Sequence, residues 1–470
     1  MIDISTLTIT DILEGYKSKK FSVSEVVSSY LERIEKYDPT LNSFITITKD
    51  EALKKAHDMD AKLDQISTSS LFGIPVAFKD MYMTKGIQTT AASNVLRNYI
   101  PPVDAEVVKK YKDAGAIILG KLNHDAWAHG SSGENSDFGA TLNPWNTEYV
   151  PGGSSSGSGV SIAAGFTPVA SGTDTGGSIR QPASFTNTVG LKPTYGRVSR
   201  SGIIAMASSL DSIGHFTKTV SDSAQVLQVT AGKDSMDATL TPTDVPNYLE
   251  NLRKGVKGMK IGVPKEFVEK GLQPEVKTVF EKAIKDFEEL GAEIVDVSLP
   301  HTEYGIAIYY IIQTAEVSSN LARYDGIRFG NGRDMFGSEA KRRIMLGTYV
   351  LSAGYYDAYY KKAMQVRTLV KKDFDEVFKK VDALVTPVSP TLPWKLGEKV
   401  NDPLSMYLAD ALTVTINMAG VPALSIPAGF SNGLPVGIQI IGPHFSEGKL
   451  FQIGHAFEEK TQYYKKTPNL

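Results

Sequence analysis

Two Gly/Ser turns, Gly152-Gly153-Ser154-Ser155 and Thr175-Gly176-Gly177-Ser178, set Ser154 and Ser178 24 positions apart. They lie in a stretch, Val150 to Lys192, with no charged residue from Val150 to Thr173. Glycine admits positive φ and leaves backbone amides uncovered. A serine at a helix start meets unpaired N–H groups and the positive end of the helix dipole. That setting suits a nucleophile whose reaction creates an oxyanion. Three plainer readings compete. Gly152 to Gly159 has linker composition, although a compact apolar unit follows at once. A phosphate loop needs a lysine after its glycines, and none is there. Two ordinary N-caps fit as well as a catalytic site does, and the residues alone leave that choice open.

A serine nucleophile also needs a base. The seven histidines, at positions 57, 124, 129, 215, 301, 444 and 455, form no triad motif near the turns. Lys79 closes the short apolar strand Leu71 to Asp80, an unusual place for a lysine. On its own it reads as a strand-end lysine, solvated or paired with Asp80.

Positioning these groups requires several elements. Between the turns lie a small-residue helical pattern, Gly159 to Gly165, and a short strand, Thr167 to Ala170. Residues 1–65 read as a helical packing layer. Capping boxes stand at Thr8/Asp11 and Ser22/Glu25, and Asp38-Pro39 ends the second helix. A helix over Val107 to Ala114 followed by a strand over Ala116 to Lys121 indicates an α/β chain. A second half opens with a strand at Lys260 to Pro264. A helix follows over Pro274 to Leu290 with Gly291 as its stop, then a strand over Glu293 to Val297 and a helix over His301 to Tyr324. Ala363 to Lys379 reads as a helix with a solvated charged face. Ala383 to Pro387 and Ala423 to Pro427 read as core strands, and Ser431-Asn432-Gly433 as a turn before a strand at Val436 to Ile441.

Composition bounds the function. The chain has 470 residues and a formal charge of −2, so no basic field points to nucleic acid. It has no cysteine, which excludes disulfides, thiol nucleophiles and Cys-based metal sites. The uncharged run Ala411 to Ser446 is broken by prolines and glycines and reads as buried strands, not a membrane helix. No signal peptide is recognisable, and a cytoplasmic location is expected.

The two turns together resemble the amidase signature family, whose hallmark is G-G-S-S-[GS]-G-S followed by D-x-G-G-S-[IV]-R-x-P-[AS]. Here these are Gly152 to Ser158 and Asp174 to Ala183, at the family's separation. The resemblance implies one domain over residues 1–470, a large mixed β-sheet covered by helices on both faces. Residues 1–65 would be its helical layer, 66–220 its catalytic core and 221–470 the rest of the sheet with the recognition segments. It implies a relay of Ser178 as nucleophile, Ser154 as bridge after a cis peptide bond, and Lys79 as base. The oxyanion would sit on the amides of Thr175, Gly176 and Gly177.

Within the family the chain most resembles the glutaminase subunits of tRNA-dependent amidotransferases. Segments such as Ser318 to Gly326, Lys341 to Thr348 and Gly433 to Gln439 carry that resemblance. It implies glutamine as substrate and two partners, the B and C subunits. The B subunit would use ATP and Mg²⁺ and carry most tRNA contacts. This chain would hold no metal or cofactor. Arg343 would take glutamine's carboxylate, Asp410 its ammonium, and Tyr309 would line the pocket, with Arg342 and Tyr310 as possible substitutes. Two departures stand out. The chain is short between Gly332 and Glu339, and Ala126 and His129 replace the Glu and Met of a family segment that reads M-D-E-F-A-M-G. That puts an ammonia gate in question. Two alternatives remain: a stand-alone amidase for aryl or aliphatic amides, which would not need Arg343 and Asp410, and a silent scaffold, against which the full relay argues.

Overall fold

The computed structural model describes residues 4–63, 66, 71–269, 271–327 and 330–470. Part of the expected N-terminal helical layer, positions 1–3 and 64–65, lies outside the described residues. Eleven strands among them form one mixed sheet. In chain order they are β1 Phe44–Ile47, β2 Pro75–Lys79, β3 Ile117–Leu122, β4 Val169–Asp174, β5 Val189–Lys192, β6 Ser212–Thr217, β7 Lys260–Pro264, β8 Glu293–Val297, β9 Ala383–Pro387, β10 Ala423–Ser431 and β11 Leu434–Ile441. They lie side by side as β1-β3-β2-β4-β6-β5-β10-β11-β9-β7-β8. The β3-β2-β4 and β9-β7-β8 groups are parallel and the remaining pairs antiparallel.

β2, β4 and β6 are buried at every residue, as expected of strands covered on both faces. On β11, an added Cβ at Gly437 would meet Ser184 of the Arg180–Thr186 helix, while Ile440 packs on Gly454 of the Glu447–Thr461 helix. Side chains three apart on a strand point to opposite faces, so these helices cover opposite sides of the sheet. The β10–β11 hairpin turns on Asn432 and Gly433, both at positive φ, the requirement of a tight two-residue hairpin turn.

Several expectations need correction. The N-terminal layer is not all helix, because β1 pairs with β3 at the sheet edge. Asp38-Pro39 does not end the second helix, which runs Val23–Leu41. Proline in the last turn breaks little of the ladder. The helix closes instead on Asn42 in the left-handed region, while the Asp38 carboxylate accepts the amides of Ser43 and Phe44. The small-residue helix starts earlier, at Ser156, and the following strand is Val169–Asp174, so Thr173 and Asp174 belong to the sheet. His301 to Tyr324 divides into a 3-10 turn, Pro300–Tyr304, and a helix, Gly305–Leu321. The charged helix, Lys362–Val377, is not merely solvated. Arg367 reaches inward to Ser209 Oγ (2.8 Å), Ser209 O (2.9 Å) and Met418 O (3.0 Å). No described helix is long and apolar enough to cross a membrane.

Candidate active site

Lys79 is the last residue of β2 and Thr173 the fifth of neighbouring β4. Ser154 and Ser155 lie in the loop before the Ser156–Ala163 helix, and Ser178 in the loop between β4 and the Arg180–Thr186 helix. The peptide between Gly153 and Ser154 is cis, as the resemblance implied. A Cβ on Gly153 would lie 2.0 Å from Asp125 Oδ2 and 2.9 Å from Ser132 N, so only glycine fits there. Ser155 N donates to Ser178 O at 3.1 Å, tying the two serine turns together.

The Lys79 amine is fully buried among three hydroxyls: Ser154 Oγ at 2.8 Å, Thr173 Oγ1 at 2.9 Å and Ser155 Oγ at 3.0 Å. Burial lowers its pKa to about 7, against the opposing pull of Asp125, Asp174 and Asp211. Near neutral pH a large fraction is therefore the free amine, which can accept a proton. The strand-end lysine is thus neither solvated nor paired with Asp80. Asp80 instead pairs with the buried Lys121 at 3.0 Å.

Ser178 keeps a little exposure, whereas Lys79 and Ser154 have none. Behind its loop, Asp174 accepts the amides of Gly177 (2.9 Å), Ile179 (3.1 Å) and Arg180 (3.3 Å). Burial pushes the Asp174 carboxyl up, but the Arg180 charge and hydrogen bonds outweigh it and hold it well below the usual range. Arg180 also reaches Gln439 and Asn417, across to β11 and the Val414–Ala419 helix. This bears on the oxyanion expectation. The Gly177 amide is already engaged by Asp174, whereas those of Thr175, Gly176 and Ser178 donate to no group among the described residues. The Thr175 side chain is itself fixed by Asp211 at 2.7 Å.

The three residues expected to recognise the substrate come from elsewhere in the chain and are all buried. Tyr309 lies on the Gly305–Leu321 helix, with its hydroxyl 2.5 Å from where a Cβ of Gly176 would be. Its neighbour Tyr310 donates to Asp410 Oδ2 at 2.9 Å, and Ser131 donates to Asp410 Oδ1 at 2.7 Å. Burial raises the Asp410 carboxyl to about 6, against those hydrogen bonds and Arg343. Arg343 Nε binds Glu339 at 2.8 Å, and its guanidinium sits 5.5 Å from the Tyr310 ring and 5.7 Å from the Tyr407 ring. Arg342 lines the same cavity, with a side chain 42 % exposed where that of Arg343 is 4 %. A cavity of about 140 Å³ opens here, lined by Arg343, Glu339, Tyr407, Met406, His129 and Ser132, among others.

Sequence reasoning missed Thr173, Ser155, Ser131, Glu339 and Tyr407. Thr173 and Ser155 carried a signal, since each adjoins a motif residue. Glu339 carried one too, four positions before Arg343 on the same helix, while Ser131 and Tyr407 join the site only through the fold. Ala126 lies in an apolar cluster with Trp127, and Phe336 of the short 332–339 segment packs on that same indole at 5.3 Å.

The family model described as Amidase matches residues 25–451. The A subunit of the glutamyl-tRNA(Gln) amidotransferase of Geobacter metallireducens is 52 % identical over 479 residues, covering 98 % of this chain and 99 % of that protein. The crystal structure of the A subunit of the glutamyl-tRNA(Gln) amidotransferase of Thermotoga maritima superimposes with a TM-score of 0.85 at 44 % identity, covering 100 % of this chain and 98 % of that one. The native peptide amidase of Stenotrophomonas maltophilia superimposes with a TM-score of 0.82 at 29 % identity, covering 99 % and 98 %.

Proposed function

This chain belongs to the amidase family, and on that premise we propose that it is the glutamine-hydrolysing A subunit of a tRNA-dependent amidotransferase. One observation carries the reading: buried Arg343 and buried Asp410 converge on the Tyr310 side chain, one helical position from the tyrosine that abuts the Gly176 turn. A cation and an anion held on either side of one tyrosine complement a zwitterionic amino acid, and a simple amide would need neither.

Ser178 Oγ attacks the side-chain amide carbon of glutamine, and the resulting oxyanion takes the amides of Thr175 and Gly176. Gly177 supports the turn through Asp174. Ser154 accepts the Ser178 proton while passing its own to Lys79, then returns a proton to the departing nitrogen. Ammonia leaves, and water, deprotonated along the same path, releases glutamate from the acyl-enzyme. The ammonia serves a partner B subunit, which with ATP and Mg²⁺ amidates Glu-tRNA(Gln), Asp-tRNA(Asn) or both. A C subunit completes a cytoplasmic heterotrimer.

The test is ammonia release from L-glutamine against a panel of simple amides, for wild type and Ser178→Ala, with the B and C subunits of the same genome. Glutamine-selective release, lost in the variant and raised by ATP with mischarged tRNA, is expected. Hydrolysis of all the amides alike, indifferent to the partners, would replace this reading with a stand-alone amidase.

A further inference from the structure

The cavity wall holds a side chain that the mechanism above does not use. His129 is fully buried, yet neither Nδ1 nor Nε2 has a hydrogen-bond partner among the described residues. Buried polar atoms are nearly always paired, and an unpaired one lowers stability unless something else satisfies it. His129 lines a cavity whose wall also includes Arg343, Asn135 and Tyr407. Its backbone is fixed, since His129 N donates to Ala126 O at 3.0 Å and His129 O accepts from Asn135 Nδ2 at 2.6 Å. Burial, and then the Arg343 charge, drive its pKa well below the usual histidine value. The ring is therefore neutral at working pH, with one N–H to donate and one nitrogen to accept.

The loop that carries His129 reaches both the Asp410 carboxylate and the turn before Ser154. Ser131 binds Asp410, and Ser132 N lies against Gly153, next to Ser154. His129 and Arg343 line the same cavity. An imidazole N–H can donate to a carboxylate.

We propose that His129 is a specificity-determining residue that donates a hydrogen bond to the α-carboxylate of glutamine held by Arg343. The assignment rests on the glutaminase reading and gives it a second carboxylate contact. The tests use the chain with its partner subunits and two substrates, L-glutamine and butyramide, which has the reacting amide but neither charge. His129→Met should raise KM for glutamine about tenfold, the size of one hydrogen bond to a charged group, with little change in kcat. It should leave kcat/KM for butyramide unchanged. His129→Gln, which keeps a donor, should recover most of the loss, and His129→Leu serves as a second apolar variant should the methionine protein not fold. An unchanged KM for glutamine, or equal losses on both substrates, overturns the assignment while leaving the glutaminase reading intact. Wild type that does not prefer glutamine to butyramide overturns both.

Discussion

Thr173→Val removes one of the three hydroxyls around the Lys79 amine and keeps nearly the same shape. An ammonium has three protons and no acceptor, and Ser154, Thr173 and Ser155 at 2.8, 2.9 and 3.0 Å match them one for one. The neutral amine has two protons and a lone pair, so it loses less when a hydroxyl disappears. A hydrogen bond to a charged group is worth about 1.5–3 kcal/mol and a neutral one about 0.5–1.5 kcal/mol, a difference of about 1 kcal/mol. At about 1.4 kcal/mol per pKa unit, the Lys79 pKa should fall by roughly 0.7 unit. The lost hydroxyl also makes the surroundings less polar, which pushes the same way. The free amine is the active form, so wild-type kcat/KM should rise with pH through about 7. In the variant that limb should move to lower pH by the same roughly 0.7 unit. The assay is initial-rate ammonia release from glutamine across the pH range. A limb that stays in place, or moves to higher pH, would refute the reasoning that the three hydroxyls hold the charged form of Lys79.

Arg343→Lys should raise KM for glutamine by roughly tenfold or more with a smaller effect on kcat, because an ammonium can neither lie flat against Tyr310 and Tyr407 nor form the planar fork. Michaelis kinetics on glutamine and butyramide check it, and an equal loss on both would count against a carboxylate role. Asp410 is raised to about 6, chiefly by burial, and only its ionised form attracts an ammonium. KM for glutamine should therefore climb as pH falls below about 6, separately from the kcat/KM limb near 7, and Asp410→Asn should abolish that climb.

Local patterning made much of the sheet legible. β7, β8 and β9 fall on the expected residues because each is a short segment rich in Ile, Val or Leu between turn signals. The Asn432-Gly433 hairpin was legible because both residues tolerate positive φ. β1 was not, because four residues between two helices carry too short a period and are recruited by the edge of β3. Proline inside the second helix escaped a rule that holds for helix interiors but weakens in a last turn. At the site, the serines and Lys79 were found by motif, while what surrounds them was not. Arg180 stood in the motif without a role, and its partners Asn417 and Gln439 lie more than 230 positions away. Tyr407 meets Arg343 and Glu339 only after the Ser338–Val350 and Pro403–Leu408 helices come together, whereas Glu339 pairs with Arg343 one turn along the same helix.

The groups of the proposed proton relay occupy positions 79 to 178, on β2, on β4 and in the loops beside them. Tyr309, Arg343 and Asp410 all follow β8, on helices or the turns after them, and none lies on a strand. Chemistry and selectivity are thus inherited through different parts of the gene. A lineage could exchange the late helices and acquire a new substrate while every strand and the proton path stayed as they were. The reverse would require rebuilding the β2–β4 part of the sheet.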